Sequence, residues 1–81
     1  MKETDTERII KQILSRRDPF GYFIVVAVNS VESRKIIDKY TRAGSIIVEY
    51  VGDVIIIRGK SRRMLEELAR DLIVRNLLAE L

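Results

Sequence analysis

The stretch Arg58-Gly59-Lys60-Ser61-Arg62-Arg63 holds the densest chemistry in the chain. It leads from the apolar run Val54–Ile57 into a leucine-rich helical pattern, with Ser61 placed to cap that helix. Cations in a helix's first turn oppose its dipole, so Arg62 and Arg63 each cost roughly a few tenths of a kcal/mol there. A bound anion reverses that sign, because the first-turn N–H groups and the side chains would then share it. Arg58, Lys60, Arg62 and Arg63 are therefore candidate phosphate or nucleic-acid contacts. Arg34 and Lys35, with Lys39 and Arg42, fall on the polar side of a second helical pattern and extend the set, as do Arg16 and Arg17. The plainer alternative is that these side chains point into water or pair with Glu66, Glu67 and Asp53.

Catalysis has little to draw on. Gly59-Lys60-Ser61 fits the end of a nucleotide P-loop, but that motif requires glycine at position 54, where Val54 stands. The chain has no His and no Cys, which removes the commonest general base and the thiolate nucleophile. Ser30, Ser33, Ser45 and Ser61 thus lack an imidazole to activate them, and Glu49, Asp53, Glu66 and Glu67 show no acid/base pairing. No enzyme, cofactor or metal site is expected.

The length of 81 residues fits one domain, 1–81. A net charge of +3 is too small to declare a nucleic-acid binder by itself. Charged residues make up 33% of the chain and arginine predominates over lysine, as in hyperthermophile proteins. The apolar runs Phe23–Val28 and Val54–Ile57 fall far short of the ~20 residues of a membrane helix. Met1–Gln12 is polar and periodic, unlike a signal peptide. A cytoplasmic protein is expected.

The elements follow from periodicity. Residues 5–16 predict a helix with a narrow stripe of Ile9, Ile10, Ile13 and Leu14, capped by Asp5 or Thr6, with Thr4 and Glu7 in capping-box spacing. Pro19 and Gly21 break it. Tyr22–Val28 reads as a strand buried on both faces. A second helix, capped by Ser30, buries Ile36, Ile37, Tyr40 and Ala43 and ends at Gly44 as its C′ residue. Ser45–Tyr50 and Val54–Arg58 form a hairpin about a type II′ Gly52-Asp53 turn. That turn puts Val51 opposite Val54 and makes Glu49 and Arg58 diagonal neighbours. Ser61–Leu81 reads as a long third helix. The aromatic residues Phe20, Tyr22, Phe23, Tyr40 and Tyr50 are mostly assigned to the core.

The predicted class is α+β in the order α-β-α-β-β-α. A right-handed crossover puts the second and third helices on one face of a three-stranded sheet, with an extra N-terminal helix outside the 22–81 core. Ile46, Val48, Tyr50, Ile55 and Ile57 then face the helices. Ile47, Val51, Val54 and Ile56 face away, and Val74, Leu78 and Leu81 form a second stripe on the last helix. These seven are candidate interface residues, because a contiguous apolar patch on a small domain asks for cover. Either the first helix folds over the second sheet face, or that face or a sheet edge meets a second copy or another protein. A homodimer or constitutive heteromer is the favoured expectation.

Ile46–Gly59 followed by a helix carrying Leu65, Leu68, Ala69 and Leu72 resembles the closing β-β-α of KH domains. The family's GXXG loop for RNA is missing, since Asn29–Arg34 holds no glycine. Phe23–Leu78 is also similar to the small dimerising subunit of the KEOPS tRNA-modification complex, through the helix Ser33–Tyr40, the turn glycine Gly52 and the leucine-rich helix Met64–Leu77. These resemblances imply a non-catalytic dimerising module, an accessory of an RNA-associated complex. A small DNA-binding regulator reading with Arg34, Lys35 and Lys39, or a phosphate-ligand protein using the Arg58–Arg63 corner, are the alternatives.

Overall fold

The computed structural model describes residues 5–44 and 46–79. Helix α1 spans Asp5–Leu14, strand β1 Phe23–Val28, helix α2 Val31–Ala43, strand β2 Ile46–Val51, strand β3 Val54–Gly59 and helix α3 Arg62–Val74. The fold is α+β, with one antiparallel sheet in the order β1-β3-β2. No described helix is long and apolar enough to cross a membrane. Thr4, Ser45 and Leu81 lie outside the described residues, and so does any part they play as cap, strand residue or interface.

The hairpin register is the expected one. Val51 faces Val54, Glu49 faces Ile56 and Ile47 faces Arg58. Gly52 has a φ of 57°, which the first turn position of type II′ demands, while Asp53 keeps a negative φ. Glu49 and Arg58 form the diagonal ion pair.

All three helices feed one core. Phe23, Val25, Ala27, Ile55 and Ile57 share one sheet face and pack with Ile10 and Leu14 of α1, Ile36, Ile37 and Tyr40 of α2, and Leu65, Leu68, Ala69 and Leu72 of α3. Each fully buried leucine there contributes roughly 1.5–3 kcal/mol by leaving water. Ser30 and Ser61 cap α2 and α3 as expected, each hydroxyl accepting from the N–H three residues on.

Three expectations need correction. The third helix does not run to Leu81; it stops at Val74. Asn76 takes a left-handed φ of 57°, the Asn76 N–H donates to the Ile73 carbonyl at 3.0 Å, and the Leu77 N–H donates to the Leu72 carbonyl at 2.8 Å. This pair of bonds is a Schellman ending. It turns the chain back along β1, where Leu78 bridges Ala27. Val74, Leu78 and Leu81 are thus not one helical stripe: Val74 is left 75% exposed while Leu78 packs on the core.

Gly44 does end α2, but in an extended conformation, φ −172°, and not as a left-handed C′ residue. A Cβ there would meet the Met64 thioether methyl of α3, the movable tip of a flexible side chain. Finally, α1 is shorter than 5–16 and is not a lid on the second sheet face. It lies beside α3 at the β1 margin, and its Ile10 and Leu14 belong to the helix-side core.

Candidate assembly surface and basic end

The second sheet face carries Ile24, Val26 and Val28 from β1, Val54, Ile56 and Arg58 from β3, and Ile47, Glu49 and Val51 from β2. No helix is stacked over its middle. Only the β1 margin is sheltered, where Ile9 and Ile13 of α1 meet Ile24, Val26 and Leu78 around an open groove. Of the predicted interface residues, Val54 and Ile56 are half-buried, while Ile47 and Val51 are exposed. Tyr50 points to the helix side, yet it is 57% exposed. Edge strand β2 therefore shows apolar side chains to solvent on both faces.

The two sheet edges differ. Along the outer edge of β1, Arg17 bridges Phe23 at one end and Leu78 bridges Ala27 at the other. The Val28 N–H donates to the Leu77 carbonyl at 2.8 Å, and the Ala79 N–H donates to the Val26 carbonyl at 2.9 Å. The chain's own segments thus cover both ends of that edge. Among the described residues, nothing pairs with the outer edge of β2. In a two-residue hairpin the pair flanking the turn exchanges both backbone bonds, so Val51, Glu49 and Ile47 bond to β3. Tyr50, Val48 and Ile46 then turn their N–H and C=O groups outward.

The predicted basic residues do not gather at one place. Helix α2 starts at the hairpin-turn end of the sheet, where the Asn29 N–H donates to the Asp53 carbonyl at 2.8 Å. Arg34 and Lys35, early in that helix, are therefore a strand length away from Lys60, Arg62 and Arg63, which follow the far end of β3. Arg58 leaves the corner as well, lying on the second sheet face with Glu49. Arg63 pairs with Glu67 at 3.6 Å, as the plainer alternative foresaw, whereas Glu66 holds Arg70 and Asp53 sits at the opposite end. What joins Lys60 and Arg62 at that end is instead Arg16 and Arg17, after α1, and Arg42, in the last turn of α2, which the sequence offered only as further basic groups. Of the five aromatic residues mostly assigned to the core, Phe20 is 78% exposed at this same end.

Between α2 and α3 a shallow groove is lined by Lys39, Tyr40, Ser61, Arg63, Met64 and Glu67. Below it, the Tyr40 hydroxyl donates to the Asp71 carboxylate at 2.6 Å, and Lys39 lies 3.3 Å from the same oxygen. The Tyr40 bond, with help from Lys39, holds the Asp71 carboxyl below its usual range, while burial and then Asp71 push the Tyr40 phenol up. A depressed carboxyl stabilises the fold above the ordinary carboxylate value of about 4 and loses that contribution as pH falls through it. In urea titrations at pH 7 and pH 3, Asp71→Asn should narrow the gap between the two midpoints relative to the parent protein. An unchanged gap would mean that the pair does not report on folding.

Among the described residues no cluster of acidic side chains is arranged to hold a metal ion. No protein-family model matches the chain, and no curated protein or solved structure matches it either.

Proposed function

We propose that the chain is a non-catalytic assembly module whose working form is a homodimer joined along β2. The observation that supports it is the contrast between the edges: β1 is closed by Arg17 and Leu78, while β2 offers an outward row of backbone groups flanked by exposed Ile47, Tyr50 and Val51. An open apolar edge is a template for another strand, and natural folds usually block such edges unless they use them.

A second copy suits this edge. Two antiparallel β2 strands related by a two-fold axis must pair residues of the same face, so the axis passes through a residue position. An axis at Glu49 would oppose two carboxylates, which disfavours it. An axis at Val48 pairs Val48 with Val48 and Ile46 with Tyr50 of the second copy, all apolar. The result is a continuous six-stranded sheet with the helices on one side.

Light scattering at tens of micromolar should give twice the 9.4 kDa chain mass. Val48→Pro deletes an outward N–H while sparing the β3 ladder, and it should yield a folded monomer. Tyr50→Lys, at an exposed position that tolerates the change, should weaken the dimer too. Ile56→Glu, on the second face of the central strand, should leave it intact. If Ile56→Glu gives monomers and Val48→Pro does not, the contact is face to face and the edge proposal fails. A monomeric parent protein removes the assembly proposal altogether.

A further inference from the structure

The fold concentrates charge that the sequence spreads out. At the end of the sheet where β1 begins and β3 finishes stand Arg16, Arg17, Arg42, Lys60, Arg62 and Arg63, against two carboxylates, Asp18 and Glu67. The other described residues hold eight cations and eight carboxylates. The net positive charge of the described chain therefore sits at this one end. Glu67 is taken by Arg63, and the Asp18 carboxylate accepts the N–H groups of Phe20 and Tyr22 at 2.9 and 2.8 Å. Among the described residues Arg16, Arg42 and Arg62 form no ion pair, and Arg17 and Lys60 rest on the rings of Phe23 and Tyr22. Such a row would be electrostatically unfavourable without a counter-charge, and phosphates are the ligand it fits.

A second observation narrows the ligand. Phe20 lies at the β1 margin of this end, beside Arg17, on a tightly held turn. The Gly21 N–H donates to the Asp18 carbonyl at 3.0 Å, and Gly21 takes a φ of 87°. A large apolar ring held out in water among cations has no packing role. It suits stacking on a base that is not already stacked in a duplex.

We propose that this end binds single-stranded nucleic acid, with Arg16, Arg17, Arg42, Lys60 and Arg62 along the phosphates and Phe20 stacked on a base. The surface runs across the sheet in strand order, from Arg17 beside β1, through Lys60 after β3, to Arg42 before β2. It lies opposite the Asn29–Arg34 connection, so it does not depend on a glycine clamp there. Nor does it depend on the dimer, since every residue comes from one copy.

Fluorescence anisotropy with a labelled 12-nucleotide single-stranded RNA, its DNA counterpart and a duplex of equal length tests this across a salt series. The parent protein should prefer the single strands, with log K falling against log salt at a slope of about −3.5 for five phosphate contacts. Arg16→Glu with Arg62→Glu should weaken binding at least tenfold and flatten the slope by about 1.4. Phe20→Ala should weaken it about tenfold with the slope unchanged, as loss of one stacked base would. Arg34→Glu with Lys35→Glu, at the far end, should change little. Tighter RNA than DNA binding would assign the strand type. The proposal is overturned if the far-end pair matters as much as the near-end pair, if the duplex binds as well as the single strands, or if no salt-dependent binding is seen. All these surface residues are exposed, so the variants should keep the parent's melting temperature and oligomeric state.

Discussion

Leu65→Ala should destabilise the protein by about 3 kcal/mol, and adding Gly59→Ala should recover part of that loss. Leu65 is completely buried in the first half of α3, and its methyl lies over Gly59 at the end of the central strand. A Cβ on Gly59 would run into the Leu65 Cδ2 and would sit 3.2 Å from the Ile46 Cγ2. Gly59→Ala alone should therefore cost about 1–3 kcal/mol through overpacking. Leu65→Ala alone leaves a cavity above the glycine. In the double variant the new methyl moves into the vacated space, so the combined loss should be about 1 kcal/mol smaller than the sum. Urea denaturation of the four proteins gives the cycle. Strict additivity would show that the contact between α3 and β3 is not the reason for glycine at this position.

The second large effect concerns the turn that sends the chain back along β1. Asn76→Val should cost about 2 kcal/mol, because a β-branched residue in the left-handed region is strained by steric conflict with the backbone. Asn76→Gly should be neutral or slightly stabilising at the same site. Asn76→Val should also loosen Leu77 and Leu78 from the β1 edge, uncovering the groups that now bond at Val26 and Val28. Turbidity on heating should therefore rise with protein concentration for the valine variant only. Equal melting temperatures for the two variants would remove the backbone argument.

The same turn shows where the sequence could and could not be read. Leu77, Leu78 and Leu81 continue the spacing of Leu65, Leu68 and Leu72, so periodicity alone extends α3 through Arg75-Asn76. The stop signal was one asparagine followed by an apolar residue, a Schellman pattern that competes poorly with a leucine repeat. The hairpin was legible in full, because Gly52-Asp53 leaves one register in which both faces make sense. Ser30 and Ser61 were legible as caps for the same local reason.

The two candidate surfaces were less visible. Ile47, Val51, Val54 and Ile56 follow from strand alternation, and the structure does place them away from the helices. The basic end does not follow from local pattern. Arg17, Arg42 and Lys60 are far apart in the chain and meet only because β3 is the middle strand and α2 delivers its C-terminus beside the start of α3. Likewise, nothing in the sequence singled Phe20 out from the other aromatics as the exposed one, because the turn that Asp18 gathers around it is a matter of structure. The distinction between a closed and a bare sheet edge is also tertiary, since Leu78 must leave its helix to make it.

The segment that seals β1 follows all three strands and α3 in the chain. During synthesis every other strand pairing can form before residues 77–79 emerge, yet Val26 and Val28 keep unsatisfied backbone groups until then. For that interval a nascent molecule has two adhesive margins where the finished one has a single one, and two such margins on each molecule permit open-ended chains of subunits. The short return of residues 77–79 thus ends a period of polymerisation risk and leaves a single bare margin, as the proposed pairing through β2 requires.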